Sequence, residues 1–262
     1  MSAKITVKFM GGLGNSLFQW AYSRALQANG YEVEYDPSAY ANNAHRQYWL
    51  EPLVGFLPFG DSSKREVYEG SHIFHPEALT PADGSKMIGY WQTEQYFANI
   101  AERLRNHVNL RWAQNPLTGY AKEIEEEIYK NQSVFLHVRR QDYVGLQHFH
   151  GLLPIEYYRE ALKLIRNMRC QDVKVFVFSD DQVWCSQHLP VDFHFVRCTN
   201  MWEDIRLMAS CKDAILANSS FGWWGAWFGD NQLGRTVVAP KKWFTSPDVD
   251  DRDLVPSRWI RI

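Results

Sequence analysis

The sequence predicts an α/β fold on parallel sheets, and three observations carry that prediction. Strand-like and helix-like segments alternate along all 262 residues without an internal repeat or a low-complexity linker. From residue 133 onward the alternation becomes a βα array of about five strands, the size of one Rossmann-like domain. Polar clusters fall at the ends of several of these strands, where open parallel sheets hold their ligands.

In chain order, Lys4 to Phe9 reads as a first strand, and the glycine-rich turn Gly11-Gly12-Leu13-Gly14-Asn15 follows it. The next helix places Phe18, Ala21, Tyr22 and Ala25 on one face. Val33 to Tyr35 and Lys86 to Tyr90 read as strands, whereas 39–83 is irregular and rich in Pro, Gly and aromatic residues. Gln95 to Val108 has helical spacing through Phe97, Ile100, Ala101 and Leu104, and Tyr120 to Tyr129 is a charged helix with Ile124 and Ile128 inward. A boundary at 131/132 divides the chain into lobes 1–131 and 132–262. In the second lobe the expected strands are Ser133–Val138, Val173–Phe178, Asp192–Val196, Ala214–Ala217 and Thr236–Ala239. Helices are expected over Pro154–Met168, Trp202–Cys211 and Phe221–Phe228.

Bulk composition excludes several classes of function. With 28 basic and 30 acidic residues the chain has no electrostatic case for nucleic acid. Cys170, Cys185, Cys198 and Cys211 form no CxxC pair and read as reduced, mostly buried thiols. The nine histidines show no zinc spacing, so no metal is expected. No apolar run is long enough for a signal peptide or a membrane span. The expected location is cytoplasmic, with peripheral association at the inner face of the membrane as the nearest approach to lipid.

His137-Val138-Arg139-Arg140-Gln141-Asp142-Tyr143 follows the apolar strand directly. Alternation puts His137 and Arg139 on one face, and a guanidinium fork there suits a phosphate. Asn218-Ser219-Ser220 precedes a helix, where free N–H groups and small hydroxyls favour an anion. Taken alone that pair is an ordinary N-cap; opposite Arg139 it gains weight as a phosphate site. Ser179-Asp180-Asp181 is a third polar strand end. The turn at Gly11–Asn15 misses both the dinucleotide and P-loop spacings, so an NTPase is excluded, and Asn15 is either a helix cap or a ligand contact. The tryptophans of Phe221-Gly222-Trp223-Trp224-Gly225-Ala226-Trp227-Phe228 read as core rather than a carbohydrate platform. Asp248-Val249-Asp250 reads as a solvated loop rather than a metal-binding DxD.

These clusters resemble the bacterial α-1,2-fucosyltransferases of glycosyltransferase family eleven. The resemblance rests on GGLGN with FQWAYSRAL, GYWQTEQYF, HVRRQDYV, FSDD, DIRLMASCKDAILANSSFGWWGAWF, VVAPKKWF and SRWIRI. It implies a GT-B fold, two facing Rossmann-like lobes with a cleft between them, the second lobe holding GDP-β-L-fucose as co-substrate. By similarity to related fucosyltransferases, Arg139 and Arg140 lie at the donor pyrophosphate, His137 near the nucleotide, Asp204 at guanine, and Ser219, Ser220 and Phe221 at the β-phosphate. Gly12 and Asn15 are assigned to the donor as well, and Gln92 and His150 to the acceptor. That acceptor is expected to be a galactose-terminated oligosaccharide or glycolipid. One departure stands out: Gln141 replaces the glycine of the family's HxRRGDY, and a shifted loop around Asp142 and Tyr143 is expected.

The implied reaction is an in-line, inverting displacement on fucose C1 by a galactose 2-hydroxyl, without a metal. Arg139 carries the departing charge, and Asp142 is the candidate base, with His148 and His150 behind it. An ion pair from Asp142 to an arginine is the competing role. Two rivals stand beside this reading: a GT-B transferase with another nucleotide sugar or fucosyl linkage, and a non-catalytic carbohydrate-binding protein.

Overall fold

The computed structural model describes residues 2–41, 50–145, 149–198 and 200–262. The chain divides into two compact units, Met1–Asn115 with Val249–Pro256, and Pro116–Asp248 with Ser257–Ile262. The division lies before the expected 131/132 boundary, for two reasons. The helix over 119–130 is tied to the second unit by a bond from Arg206 Nε to Glu125 Oε1 (2.9 Å). The segment 249–256 returns to the first unit, where Asp253 accepts the N–H of Phe74 (2.9 Å).

In the first unit β1 (Lys4–Lys8) turns into α1 (Leu13–Ala28), followed by β2 (Glu32–Asp36), α2 (Glu51–Val54), β3 (Arg65–Tyr68), β4 (Ser85–Ile88) and α3 (Ala101–Gln114). The four strands are parallel in the order β2-β1-β4-β3. β3 lies in the segment that reads as irregular in the sequence. It is an edge strand whose residues are mostly exposed, so Arg65-Glu66-Val67-Tyr68 carries no apolar signature. The helix expected from Gln95 starts only at Ala101, because Glu94–Tyr96 and Ala98–Ile100 wind as 3₁₀ turns. Three-residue winding puts the buried Phe97 and Ile100 on one side, which mimics a helical pattern in the sequence.

The second unit runs α4 (Gly119–Lys130), β5 (Ser133–Val138), α5 (Gln141–Val144), α6 (Ile155–Arg169), β6 (Lys174–Ser179), α7 (Gln182–His188), β7 (His194–Phe195), α8 (Met201–Ser210), β8 (Asp213–Ile215), α9 (Ser220–Gly229), β9 (Val237–Ala239) and β10 (Ile260–Arg261). Its six strands are all parallel, in the order β10-β9-β8-β5-β6-β7. Every residue of β5 is buried, and Val134, Leu136 and Val138 pack with Tyr158, Leu162 and Ile165 of α6. Trp223, Trp224 and Trp227 of α9 are fully buried, so they are core, as their spacing with glycines implied. Only half of the cysteines are buried, Cys185 and Cys211; Cys170 is exposed and Cys198 intermediate, and all four are free.

In each sheet the first strand in the chain has neighbours reached in opposite directions. β1 is followed by β2 on one side while β4 lies on the other. β5 is followed by β6 on one side while β8 lies on the other. The carboxyl ends of β1 and β4, and of β5 and β8, are therefore the two crevices where an open parallel sheet receives a ligand.

Candidate functional site

At the β5/β8 crevice the strand ends present the charged cluster. His137 is almost wholly buried near the end of β5, and its ring lies 5.9 Å from that of Phe221 in the first turn of α9. Burial, aided by the positive charge of Arg139, lowers its pKa to about 3, so the imidazole is neutral. Its Nδ1 has no hydrogen-bond partner among the described residues. Gly222 allows this approach, because a Cβ there would lie 2.6 Å from His137 Nδ1. Ser219 is the N-cap residue of α9 and its hydroxyl makes no capping bond, while Tyr143 Oη donates across the crevice to the carbonyl of Asn218 (2.9 Å).

Arg139 donates to Asp142 (2.7 Å) and lies 3.3 Å from Asp180 through Nε. Arg140 lies 3.5 Å from Asp181, with its guanidinium 4.1 Å above the Trp184 ring. Asp180 also accepts the backbone N–H groups of Arg140 (2.9 Å) and Gln141 (3.2 Å). Burial raises the pKa of Asp180 although Arg139 and these N–H groups pull it down. Gln141 begins α5 without a left-handed backbone, the positive-φ residues other than glycine being Trp91 and Cys170 among the described residues. The loop therefore does not require the family's glycine, and Asp180 braces it. Asp142 occupies the ion-pair role that competed with its role as a base.

Asp204 lies in α8, where burial and the neighbouring Glu203 push its carboxyl up to about 6 against a stabilising bond from the Cys198 thiol. Burial likewise pushes the Cys198 thiol up, with Asp204 and Glu203 adding to it. Tyr120 of α4, though partly exposed, lies close by: burial raises its own pKa, and Asp204 contributes to the rise. His150 joins an aromatic cluster, its ring stacked on Tyr143 (4.3 Å) and edge-on to Phe149 (4.9 Å). His148 lies outside the described residues. Asp250 of the DxD is engaged by Arg252 Nε (2.7 Å).

The β1/β4 crevice of the first unit is built differently. Gly12 caps α1 and Gly11 is left-handed (φ +85°), so the cap role left open for Asn15 belongs to Gly12. Asn15 Oδ1 accepts from Gln92 Nε2 (2.8 Å), which joins the first turn of α1 to the turn after β4. Gln19, fully buried, makes a second tie, accepting from Met10 N–H (3.1 Å) and donating to the Gly89 carbonyl (2.9 Å). Gly12, Asn15 and Gln92 thus share one crevice, and Arg139, Arg140, Asp142, His137 and Ser219–Phe221 share the other. Sequence reasoning missed Gln19, Trp184 and Tyr120. Of these, Trp184 had a readable signal, an aromatic residue three positions after Asp181.

The profile of Glycosyl transferase family 11 matches residues 86–262. The chain belongs to this family. It is a glycosyltransferase. An alpha-1,2-colitosyltransferase of Escherichia coli is 30% identical over 98% of this chain and 98% of its own length. A galactoside alpha-(1,2)-fucosyltransferase 1 of Saimiri sciureus is 27% identical over 62% of this chain and 46% of its own. Among solved structures, the E. coli ADP-heptose LPS heptosyltransferase II aligns with TM-score 0.50 at 13% identity, over 99% of this chain and 90% of that one. The shared fold is GT-B, built from two α/β units with parallel sheets. Among the described residues no helix is long and apolar enough to cross a membrane.

Proposed function

We propose that this family 11 glycosyltransferase moves L-fucose from GDP-β-L-fucose to the 2-hydroxyl of a terminal β-galactoside, with inversion at the anomeric carbon. The observation that carries this reading is the β5/β8 crevice. There a neutral His137 and the guanidinium of Arg139 end one strand, and the α9 N-terminus follows its neighbour. Pyrophosphate oxygens take the Arg139 fork in place of Asp142, which at 37% exposure is the more accessible of its two carboxylate partners. Arg139, Arg140 and the first N–H groups of α9 then stabilise the charge that gathers on the leaving β-phosphate, so no metal is needed. Asp142, released from Arg139, accepts the proton of the attacking hydroxyl. Asp204 accepts the N–H groups of guanine. The acceptor is held by Gln92 and Asn15; the bond between them supports assigning Asn15 to the acceptor in place of the donor role expected from the sequence.

A second reading changes the donor to GDP-colitose. The end-to-end similarity to an alpha-1,2-colitosyltransferase favours it, and colitose is fucose without its 3-hydroxyl. The deciding experiment offers GDP-fucose, GDP-colitose, GDP-mannose and ADP-heptose with a β-galactoside acceptor, and reads turnover and product linkage by NMR. An α-1,2 product from GDP-fucose at the highest kcat/KM supports the first reading. Preference for GDP-colitose supports the second, and turnover confined to GDP-mannose or ADP-heptose rejects both.

A further inference from the structure

The turn that presents Gln92 is held in an unfavourable backbone conformation. Trp91 has φ +56°, a left-handed value that is a genuine outlier for so bulky a residue and is associated with functional sites when the surroundings enforce it. The N–H of Thr93 returns to the Trp91 carbonyl (2.9 Å), closing a tight turn with Gln92 at its centre. Three side chains enforce the conformation. The buried Trp91 indole stacks on Tyr22 (4.5 Å, 16°) and meets Tyr96 edge-on (5.6 Å, 85°). Glu69, the first residue after β3, accepts the backbone N–H of Tyr90 (2.6 Å) and that of Trp91 (3.1 Å to each oxygen). Glu69 is half-buried; burial raises its pKa while these two N–H groups lower it.

The other unit uses the same device. Register pairs Ile88 of β4 with Tyr68 of β3, and Val138 of β5 with Ser179 of β6. In each case the residue after the second strand of the pair, Glu69 or Asp180, accepts the N–H groups two and three positions beyond the end of the first. In the second unit the braced turn carries Arg139, Arg140 and Asp142. In the first it carries Gln92.

We propose that Glu69 is a positioning residue for acceptor binding: by bonding to the N–H groups of Tyr90 and Trp91 it holds the left-handed turn that directs Gln92 to Asn15. This rests on the reading above that assigns Gln92 and Asn15 to the acceptor. Glu69→Gln keeps the size of the side chain but turns an amide donor toward N–H donors.

The test measures acceptor and donor KM, kcat and melting temperature for the full-length enzyme and for Glu69→Gln, Gln92→Ala and the double variant, with GDP-fucose and a β-galactoside. Expected is an increase of about tenfold or more in acceptor KM for Glu69→Gln, the size of effect that loss of a charged hydrogen bond produces, with donor KM within about twofold. The effect should shrink or vanish in the Gln92→Ala background. If Gln92→Ala raises acceptor KM and Glu69→Gln does not, Glu69 is structural only and the proposal is overturned while the acceptor assignment stands. If Gln92→Ala leaves acceptor KM unchanged, the acceptor assignment itself fails. Should Glu69→Gln not fold, Glu69→Asp keeps the charge on a shorter arm. A raised acceptor KM at unchanged donor KM then supports the proposal, and unchanged values of both overturn it.

Discussion

The two crevices occupy the same place in their sheets, the reversal point beside a strand whose following helix starts at the crevice, yet they are built from opposite materials. At β5/β8 the chemistry is charge: two arginines, three carboxylates and a helix N-terminus, none of them on a left-handed residue. At β1/β4 it is backbone: two left-handed residues, Gly11 and Trp91, with an amide pair, Asn15 and Gln92, between them. In a transferase the difference suits two kinds of ligand. A pyrophosphate leaving group is held by formal charge, and a neutral sugar hydroxyl by oriented amides that charge would not orient better. The charged site tolerates a residue such as Gln141 in place of glycine, whereas the left-handed turn of the backbone site is bonded to its Glu69 brace.

The largest effect expected on the charged side is at Arg139. Arg139→Lys keeps the charge but loses the fork, and kcat/KM for GDP-fucose should fall by about two decades in both Arg139→Lys and Arg139→Ala. Near-normal kinetics in the lysine variant would mean that diffuse charge suffices. Next comes Asp204→Asn, which should weaken GDP by about ten- to a hundredfold and leave inorganic pyrophosphate untouched, as loss of charged hydrogen bonds to the base requires. Equal losses for both ligands would remove Asp204 from base recognition.

The pH dependence of GDP affinity sharpens the same assignment. The Asp204 carboxyl is pushed up to about 6 in the free enzyme, so below that pH it is protonated and can no longer accept both N–H groups of guanine. GDP affinity should fall by about tenfold for each unit of pH below this value, a slope that one required deprotonation imposes. The terminal phosphate of GDP titrates in the same range, so Asp204→Asn supplies the baseline, and identical slopes in the two proteins would contradict the assignment. For folding the sign is opposite: a carboxyl raised by burial lets the folded state bind the proton more tightly. Its contribution to stability therefore declines as pH rises from the ordinary carboxylate range through about 6.

A smaller effect, on stability, is expected where the helix meets the strand. Gly222→Ala drives a methyl to 2.6 Å from His137 Nδ1, and overpacking of this kind destabilises by about 1–3 kcal/mol. Chemical denaturation would register the loss, and an unchanged midpoint would mean that the helix shifts freely over His137.

The contrast between the crevices also explains what is legible in the sequence. Charge and strand alternation are written residue by residue, so His137, Arg139 and the Ser219–Ser220 cap stand out from residue type and spacing alone. The fold class is legible for the same reason, since the strands β5 and β6 are built on the apolar runs Val134–Leu136 and Val175–Phe178. What escapes depends on partners distant in the chain. Glu69 sits in an exposed-looking stretch after an edge strand, and only register with β4 reveals its two N–H partners. Trp91 reads as an ordinary aromatic, because nothing in a single sequence marks a left-handed tryptophan. The expected unit boundary is misplaced because α4, which lies next to it in the chain, packs forward onto the second unit through Glu125 and Arg206, a pair 81 residues apart.

The most direct test of the charge-against-backbone division is a crystal structure of the full-length enzyme with GDP. The expected result places the β-phosphate within hydrogen-bond distance of Arg139 and the first N–H groups of α9, with guanine on Asp204 and Asp142 displaced from Arg139. A β-phosphate seated instead on the turn Gly11–Asn15, with the Arg139–Asp142 pair intact, would contradict it.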